Sequence, residues 1–335
     1  MSRAFIKFIT AAFFYIAFAV YLYQPYFKYF DRLQFLLVIN VSLAALGCYV
    51  LSRRWMAAFG ASFFAGAIYG FGPFLLGLGK FHPTAGFPAA MVPWMFCLAA
   101  MGPCGRWRLI RWPLVAVPFV AIVVFFQAAA YFRLFAIPMQ VRLCAEDFIG
   151  FLAAGVSAKR GLILIGFYHV PIAALVMGFA MLVKARRFGV ITIFFIGIIL
   201  VFLGPVLSVS PVIWLAIPVL CCSVLIGEGM QGLVLASWAD RKWVLLSTIV
   251  MLVLSIVTLL AATKFANIFA GLGLRYTKLF TEAAKMYILG AIAVTIVFFM
   301  ARGKLRLTAL RWAILCSATA IDIFFGAGFI VDTIF

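Results

Sequence analysis

From Leu33 to Met101 the chain reads LQFLLVINVSLAALGCYVLSRRWMAAFGASFFAGAIYGFGPFLLGLGKFHPTAGFPAAMVPWMFCLAAM. Two apolar runs of about 20 residues flank the turn Ser52-Arg53-Arg54, and a third run follows; as a helix, each is long enough to cross a ~30 Å hydrocarbon core. The second run is rich in small residues (Gly60, Ala61, Ala65, Gly66, Gly70, Gly72), which let neighbouring helices approach closely. The solvent of such a chain is lipid, and its element is the helix.

Composition extends this to the whole chain. Hydrophobic residues make up 68% and charged residues 10%, against roughly 45–50% and 25% in soluble domains. No polar stretch is long enough for a soluble domain, so residues 1–335 read as a single polytopic membrane domain. The net charge of +19 comes from 27 Lys and Arg against 8 Asp and Glu. These basic residues sit in short turns between apolar runs, where they set topology and meet anionic headgroups rather than nucleic acid. The seven cysteines form no CxxC pair and lie mostly inside apolar runs, which supports neither a disulfide framework nor a zinc site. Arg3 and Lys7 precede an apolar run with no small-x-small site after it, so an uncleaved first helix is expected.

Counting apolar runs predicts about eleven spans, near 8–24, 33–51, 57–78, 86–102, 113–131, 161–183, 188–208, 211–237, 243–262, 284–301 and 307–329. With the N-terminus cytoplasmic, the basic turns at 3–7, 53–54, 106–111, 184–187, 241–242 and 302–311 all fall inside, as the positive-inside rule requires. Asp31, Glu146, Asp147, Glu282 and Asp332 then fall outside, as does the C-terminus. The two longest loops, 132–160 and 263–283, are both external. In the second, Arg275, Lys278, Glu282 and Lys285 recur at spacings of three and four, which predicts an amphipathic helix lying in the outer interface.

Features between Gly47 and Trp94 follow a recognisable order: YVLSRR at 49–54, GASFFAGAIYGFGPF at 60–74 and AAMVPW at 89–94. IGFLAAG at 149–155, the basic helix end at Lys184-Ala185-Arg186-Arg187 and FLGP at 202–205 continue it. This order resembles the membrane module of GT-C-type glycosyltransferases and related bacterial polytopic membrane proteins. The resemblance implies a bacterial inner-membrane protein that takes a sugar from a polyprenyl-phosphate carrier at the extracytoplasmic face. Such enzymes carry an acid in a long first external loop. Here that segment is only about Gln24–Arg32, with Asp31 its one carboxylate.

Few residues can carry chemistry. Asp31, beside Arg32, is a candidate base for an acceptor hydroxyl or a neutralised interfacial acid. Glu146-Asp147 is the one adjacent carboxylate pair: it can share a proton or bind a cation, or it can simply start a helix near Phe148. Asp322 lies about 15 residues into the last span, about 22 Å deep at 1.5 Å per residue. A buried acid at that depth faces a cavity or a partner such as an Arg or a helix hydroxyl. These four are the candidate catalytic acids. Arg133, Arg142, Arg275 and Lys278 are the candidate phosphate or lipid-headgroup contacts. His169, near the middle of the sixth predicted span, is either a hydrogen-bonding core residue or a porphyrin ligand.

Three readings stand at this point. The first is handling of a lipid-linked or amphiphilic substrate at the external face, with GT-C-like glycosyl transfer as its chemistry. The second is a non-catalytic scaffold subunit among other membrane subunits. The third is a secondary transporter, supported by interrupted runs at Gly72-Pro73, Gly204-Pro205, Pro211 and Pro218.

Overall fold

The computed structural model describes residues 3–30, 34–81, 83–100, 108–131, 143–161, 163–184, 188–203, 210–263, 276–302 and 307–335. Among them the regular structure is helical throughout. The α-helices are α1 (Arg3–Tyr23), α2 (Phe35–Ser52), α3 (Phe59–Gly70), α4 (Pro73–Phe81), α5 (Pro83–Ala100), α6 (Arg108–Tyr131), α7 (Ala154–Arg160) and α8 (His169–Lys184). They continue as α9 (Phe188–Phe202), α10 (Pro211–Trp214), α11 (Ala216–Leu235), α12 (Arg241–Ala262), α13 (Thr277–Arg302) and α14 (Thr308–Ile334). Short 3₁₀ turns cover Gln24–Tyr29, Ala145–Phe151 and Trp238–Asp240.

Seven helical stretches among the described residues are long and apolar enough to cross a membrane: Ala4–Tyr29, Phe35–Ser52, Phe59–Gly79, Pro211–Leu235, Arg241–Ala262, Thr277–Ala301 and Thr308–Ile334. Shorter apolar helices cover Ala116–Ala128, His169–Val183 and Gly189–Phe202. The side-chain distribution on α12 is that of a helix in lipid. Its buried stripe is Val244, Ser247, Thr248, Met251, Ser255, Thr258 and Ala261. Leu245, Leu246, Ile249, Leu252, Val253, Ile256 and Leu259 point outward. Hydroxyls inside and branched aliphatics outside invert the pattern of a water-soluble helix. Each inward hydroxyl satisfies itself on its own helix, as Ser255 does on the Met251 carbonyl at 2.8 Å and Thr248 on that of Val244 at 3.0 Å. The chain is therefore a multi-pass membrane protein.

Its contacts divide it into two compact units. The first comprises Met1–Phe71, Leu75–Leu143 and Phe188–Val224; the second comprises Gly72–Phe74, Cys144–Arg187 and Leu225–Phe335. In the first, α2 packs between α3 and α5. Small residues bring α2 and α3 together: a Cβ on Gly70 would lie 2.6 Å from the Val41 carbonyl oxygen, and one on Gly66 would lie 2.5 Å from that of Ala45. Polar tips of large side chains then tie helix to helix. Tyr15 donates to the Phe63 carbonyl at 2.6 Å, Tyr69 to Ala89 at 2.6 Å and the Trp94 indole to Leu43 at 3.0 Å.

In the second unit α12 and α13 form the most extensive pair, and α8 packs on both. Gly290 lets α13 approach Met251 of α12 and Val170 of α8. Gly178 and Gly229 bring α8 against α11. Arg311, buried at the start of α14, donates to the carbonyls of Val234 and Ala236 at 3.1 and 2.8 Å. It thereby caps the C-terminal end of α11, where the last carbonyls lack helical partners.

Two expectations about local structure change. The predicted span 161–183 is helical only from His169 onward, since residues 163–168 are non-helical, so His169 starts a helix rather than sitting in the middle of one. The predicted interfacial helix is not a separate element: Thr277–Lys285 are the first turns of the continuous helix α13. Its charged stripe is the outer face of those turns. Phe280 and Ala283 on the opposite face are buried against Ala153, Val156 and Ala261, which draws this end of α13 into the protein.

Candidate functional site

The site grows from the irregular stretch before α8. Helix α7 ends at Gly161, whose left-handed φ of 67° is the conformation glycine adopts most easily. Upstream, the 3₁₀ turn Ala145–Phe151 is pinned by Asp147, whose Oδ2 accepts the Cys144 N–H at 2.7 Å. Turn and irregular segment touch backbone to backbone: a Cβ on Gly150 would lie 2.2 Å from the Ile165 carbonyl oxygen. Leu164, Ile165, Phe167 and Tyr168 are buried. In an apolar protein, non-helical backbone is tolerated where protein covers it.

The segment then enters α8 at His169. The first N–H groups of a helix have no internal partner, and Pro171 has none to offer. Asp322 of α14, only 1% exposed, meets this end. Its Oδ2 accepts the Val170 N–H at 2.6 Å and its Oδ1 lies 2.9 Å from His169 Nδ1. A carboxylate far inside an apolar span is expensive. The N-terminal dipole of α8 and the imidazole N–H together offset that expense. With Nδ1–H donating to Asp322, a neutral His169 leaves Nε2 as a hydrogen-bond acceptor.

The ring is held from a third side. Tyr287 of α13 meets it edge-on, with centroids 4.7 Å apart and planes at 88°. Its hydroxyl donates to the Phe151 carbonyl at 2.8 Å. Helices α8, α13 and α14 and the 3₁₀ turn thus fix one imidazole.

This dyad forms part of the wall of a cavity of about 310 Å³ within the second unit. The remaining lining is mostly apolar: Ala153–Gly155 at the start of α7, Leu279, Ala283 and Met286 of α13, and Phe325, Gly326, Phe329 and Ile330 of α14. Glu282 also lines it and pairs with Lys285 at 2.6 Å, both side chains being well exposed. A space that is apolar over most of its surface and carries one oriented acceptor suits an amphiphile.

The candidates named from sequence separate clearly. Asp322 and His169 come together. Asp322 is satisfied by an imidazole and a backbone N–H, rather than by the Arg or hydroxyl considered above. Glu146 forms a half-exposed ion pair with Arg160 at 3.0 Å, and Asp147 is buried as a turn cap; the two therefore occupy the first turn of a helical element. Lys278 is exposed on the first turns of α13. Asp31, Arg133, Arg142 and Arg275 lie outside the described residues. For His169, Nε2 is the ring atom left to ligate a porphyrin metal. No group of three or more His, Cys, Asp or Glu among the described residues could hold a metal ion. Sequence reasoning did not single out Tyr287 or Glu282 for this cavity. Its one usable hint was that the loop predicted over 263–283 ends between them.

Comparison with protein families, curated proteins and solved structures finds no match.

Proposed function

We propose that this chain crosses the bacterial inner membrane about eleven times, N-terminus cytoplasmic and C-terminus extracytoplasmic, and holds an amphiphilic, lipid-linked molecule in the cavity of its second unit. The observation that carries the reading is the His169–Asp322 pair, its carboxylate buried, in the wall of a mostly apolar cavity. The lining segments support the orientation as well. Residues 153–155, the first turns of α13 and the last turns of α14 are the segments that the basic turns assign to the outer side.

The occupant's hydrocarbon packs on Met286, Phe325, Phe329 and Ile330, and its hydroxyl donates to His169 Nε2. Asp322 positions the ring and holds its tautomer. An imidazole so held can take the proton of a bound hydroxyl as that oxygen attacks an electrophile. Glycosyl transfer onto the hydroxyl, with the donor's polyprenyl phosphate leaving as its bond to the sugar breaks, is the reaction that the GT-C resemblance implies. Two carboxylates, Asp322 and Glu282, line the cavity and disfavour a bare phosphate there.

Native mass spectrometry of the protein extracted mildly from its own membranes tests this. The wild type should carry a lipid-sized adduct, and His169→Gln or Asp322→Asn should lower its occupancy at least tenfold. Equal occupancy in all three proteins defeats the proposal. So does stoichiometric co-purification with other membrane subunits and no adduct, which favours the scaffold reading.

A further inference from the structure

A second cavity, wholly within the first unit, differs in chemistry from the one just described. Its volume is about 330 Å³. Its wall is apolar along Leu51, Phe96, Val190, Ile193, Leu220 and Val224, and carries Arg54 and Trp55. Both residues belong to the turn after α2, which the sequence places at an interface by its paired arginines.

The two arginines of that turn have different jobs. The Arg53 guanidinium is spent on the turn itself, donating to the Ala57 carbonyl at 2.9 Å and to that of Met56 at 3.4 Å. Arg54 is exposed, lines the cavity, and has no ion pair or side-chain hydrogen bond among the described residues. A guanidinium of this kind matches a phosphate with two parallel donors. Trp55 beside it supplies the amphipathic ring characteristic of the headgroup level. Behind both runs an apolar slot. Gly189, at the start of α9, is another lining residue.

We infer that this cavity is a specific site for an anionic phospholipid of the leaflet that the Ser52–Trp55 turn faces. The headgroup phosphate sits on Arg54 beside Trp55, and one acyl chain lies in the slot along Phe96, Ile193 and Leu220. Charge complementarity selects the anion, and the apolar slot selects a lipid over a free phosphate ion. The site shares no residue with the His169–Asp322 cavity, so it stands whether or not that cavity binds an amphiphile.

The structure supplies a clean way to block it. Gly189 lines the cavity and a Cβ added there meets nothing within 4 Å, so Gly189→Phe adds an aromatic ring at the cavity wall without striking backbone. The experiment is lipid titration of the delipidated full-length protein, followed by native mass spectrometry. The probes are phosphatidylglycerol, phosphatidylethanolamine and inorganic phosphate, and the proteins are wild type, Arg53→Ala, Arg54→Ala and Gly189→Phe. Wild type and Arg53→Ala should retain one phosphatidylglycerol in preference to phosphatidylethanolamine. Arg54→Ala should weaken that preference about fivefold, the worth of one basic residue at a membrane surface. Gly189→Phe should remove the tightly held lipid for both headgroups. Retention by Gly189→Phe equal to wild type, or equal preference in wild type and Arg54→Ala, overturns the inference. Inorganic phosphate that displaces the lipid at equimolar concentration also overturns it, because the slot would then contribute nothing.

Discussion

The two units solve the problem of packing helices in lipid by different means. The first relies on closeness: glycines and alanines bring α2 against α3, and the bonds between helices run from tyrosine, tryptophan and cysteine tips to backbone carbonyls. The second relies on buried charge as well. Asp147, Glu228, Arg311 and Asp322 are all buried within it, and by sequence position every acid but Asp31 falls in its segments. Where apolar burial drives no association, because lipid tails are as apolar as leucine, small residues suffice to make a scaffold. Three of these four sit where the backbone is irregular or a helix ends: Asp147 at a 3₁₀ turn, Asp322 at a helix start and Arg311 at a helix end; Glu228 lies inside α11. In those three places the irregular backbone and the buried charge satisfy each other.

The strongest test of this contrast removes the charge that secures the start of α8. Asp322→Ala leaves the buried Val170 N–H and the partly buried His169 Nδ1–H without their acceptor, and at about 1–3 kcal/mol for each unsatisfied donor should cost about 2–6 kcal/mol in all. Asp322→Asn keeps an oxygen for the Val170 N–H and should cost less than half of that. Thermal denaturation in detergent reads both. Equal, small losses for the two variants would mean that Asp322 is not what holds the helix start.

The matching test in the first unit adds volume instead of removing charge. At Gly70 a new Cβ would lie 2.6 Å from both the Val41 carbonyl oxygen and the Ala45 Cβ. Gly70→Leu should therefore cost about 1–3 kcal/mol by overpacking. Gly328 on α14 has nothing within 4 Å of such a Cβ, so Gly328→Leu controls for helix propensity and should be neutral or mildly stabilising. Comparable losses at the two positions would break the claim that close approach is what α2 and α3 depend on.

Much of this architecture is legible in the sequence, and the exceptions share a cause. Apolar length locates the helices, and the break before Pro73 follows from proline itself. The small residues of 60–72 mark the helix that packs closest. Hydropathy fails at 163–168, because ILIGFY is as apolar as a helix would be and nothing local reveals that its backbone is irregular. Gly166 and Pro171 were the available cues. It fails again at Lys278–Lys285, where a charged stripe reads as a surface helix although the opposite face buries Phe280. The His169–Asp322 pair joins positions 153 residues apart. Each residue is visible alone, but no periodicity records their meeting.

The smallest expected effects distinguish the units most finely. Tyr15 and Tyr287 are both buried, and each donates to a distant backbone carbonyl. Their acceptors differ. Phe63 lies inside α3, where its carbonyl also has a helical N–H partner, so the bond from Tyr15 is an addition to a satisfied group. Phe151 closes its 3₁₀ turn, where carbonyls run out of helical donors. Tyr15→Phe should then cost about 0.5 kcal/mol, near the average for hydrogen bonds between membrane helices. Tyr287→Phe leaves a buried carbonyl short of a donor and should cost about 1–2 kcal/mol, while its ring still packs on His169. Paired denaturation measurements check the order. If Tyr15→Phe proves the more damaging, the first unit depends on its polar contacts more than on its glycines, and the division drawn between the two units falls.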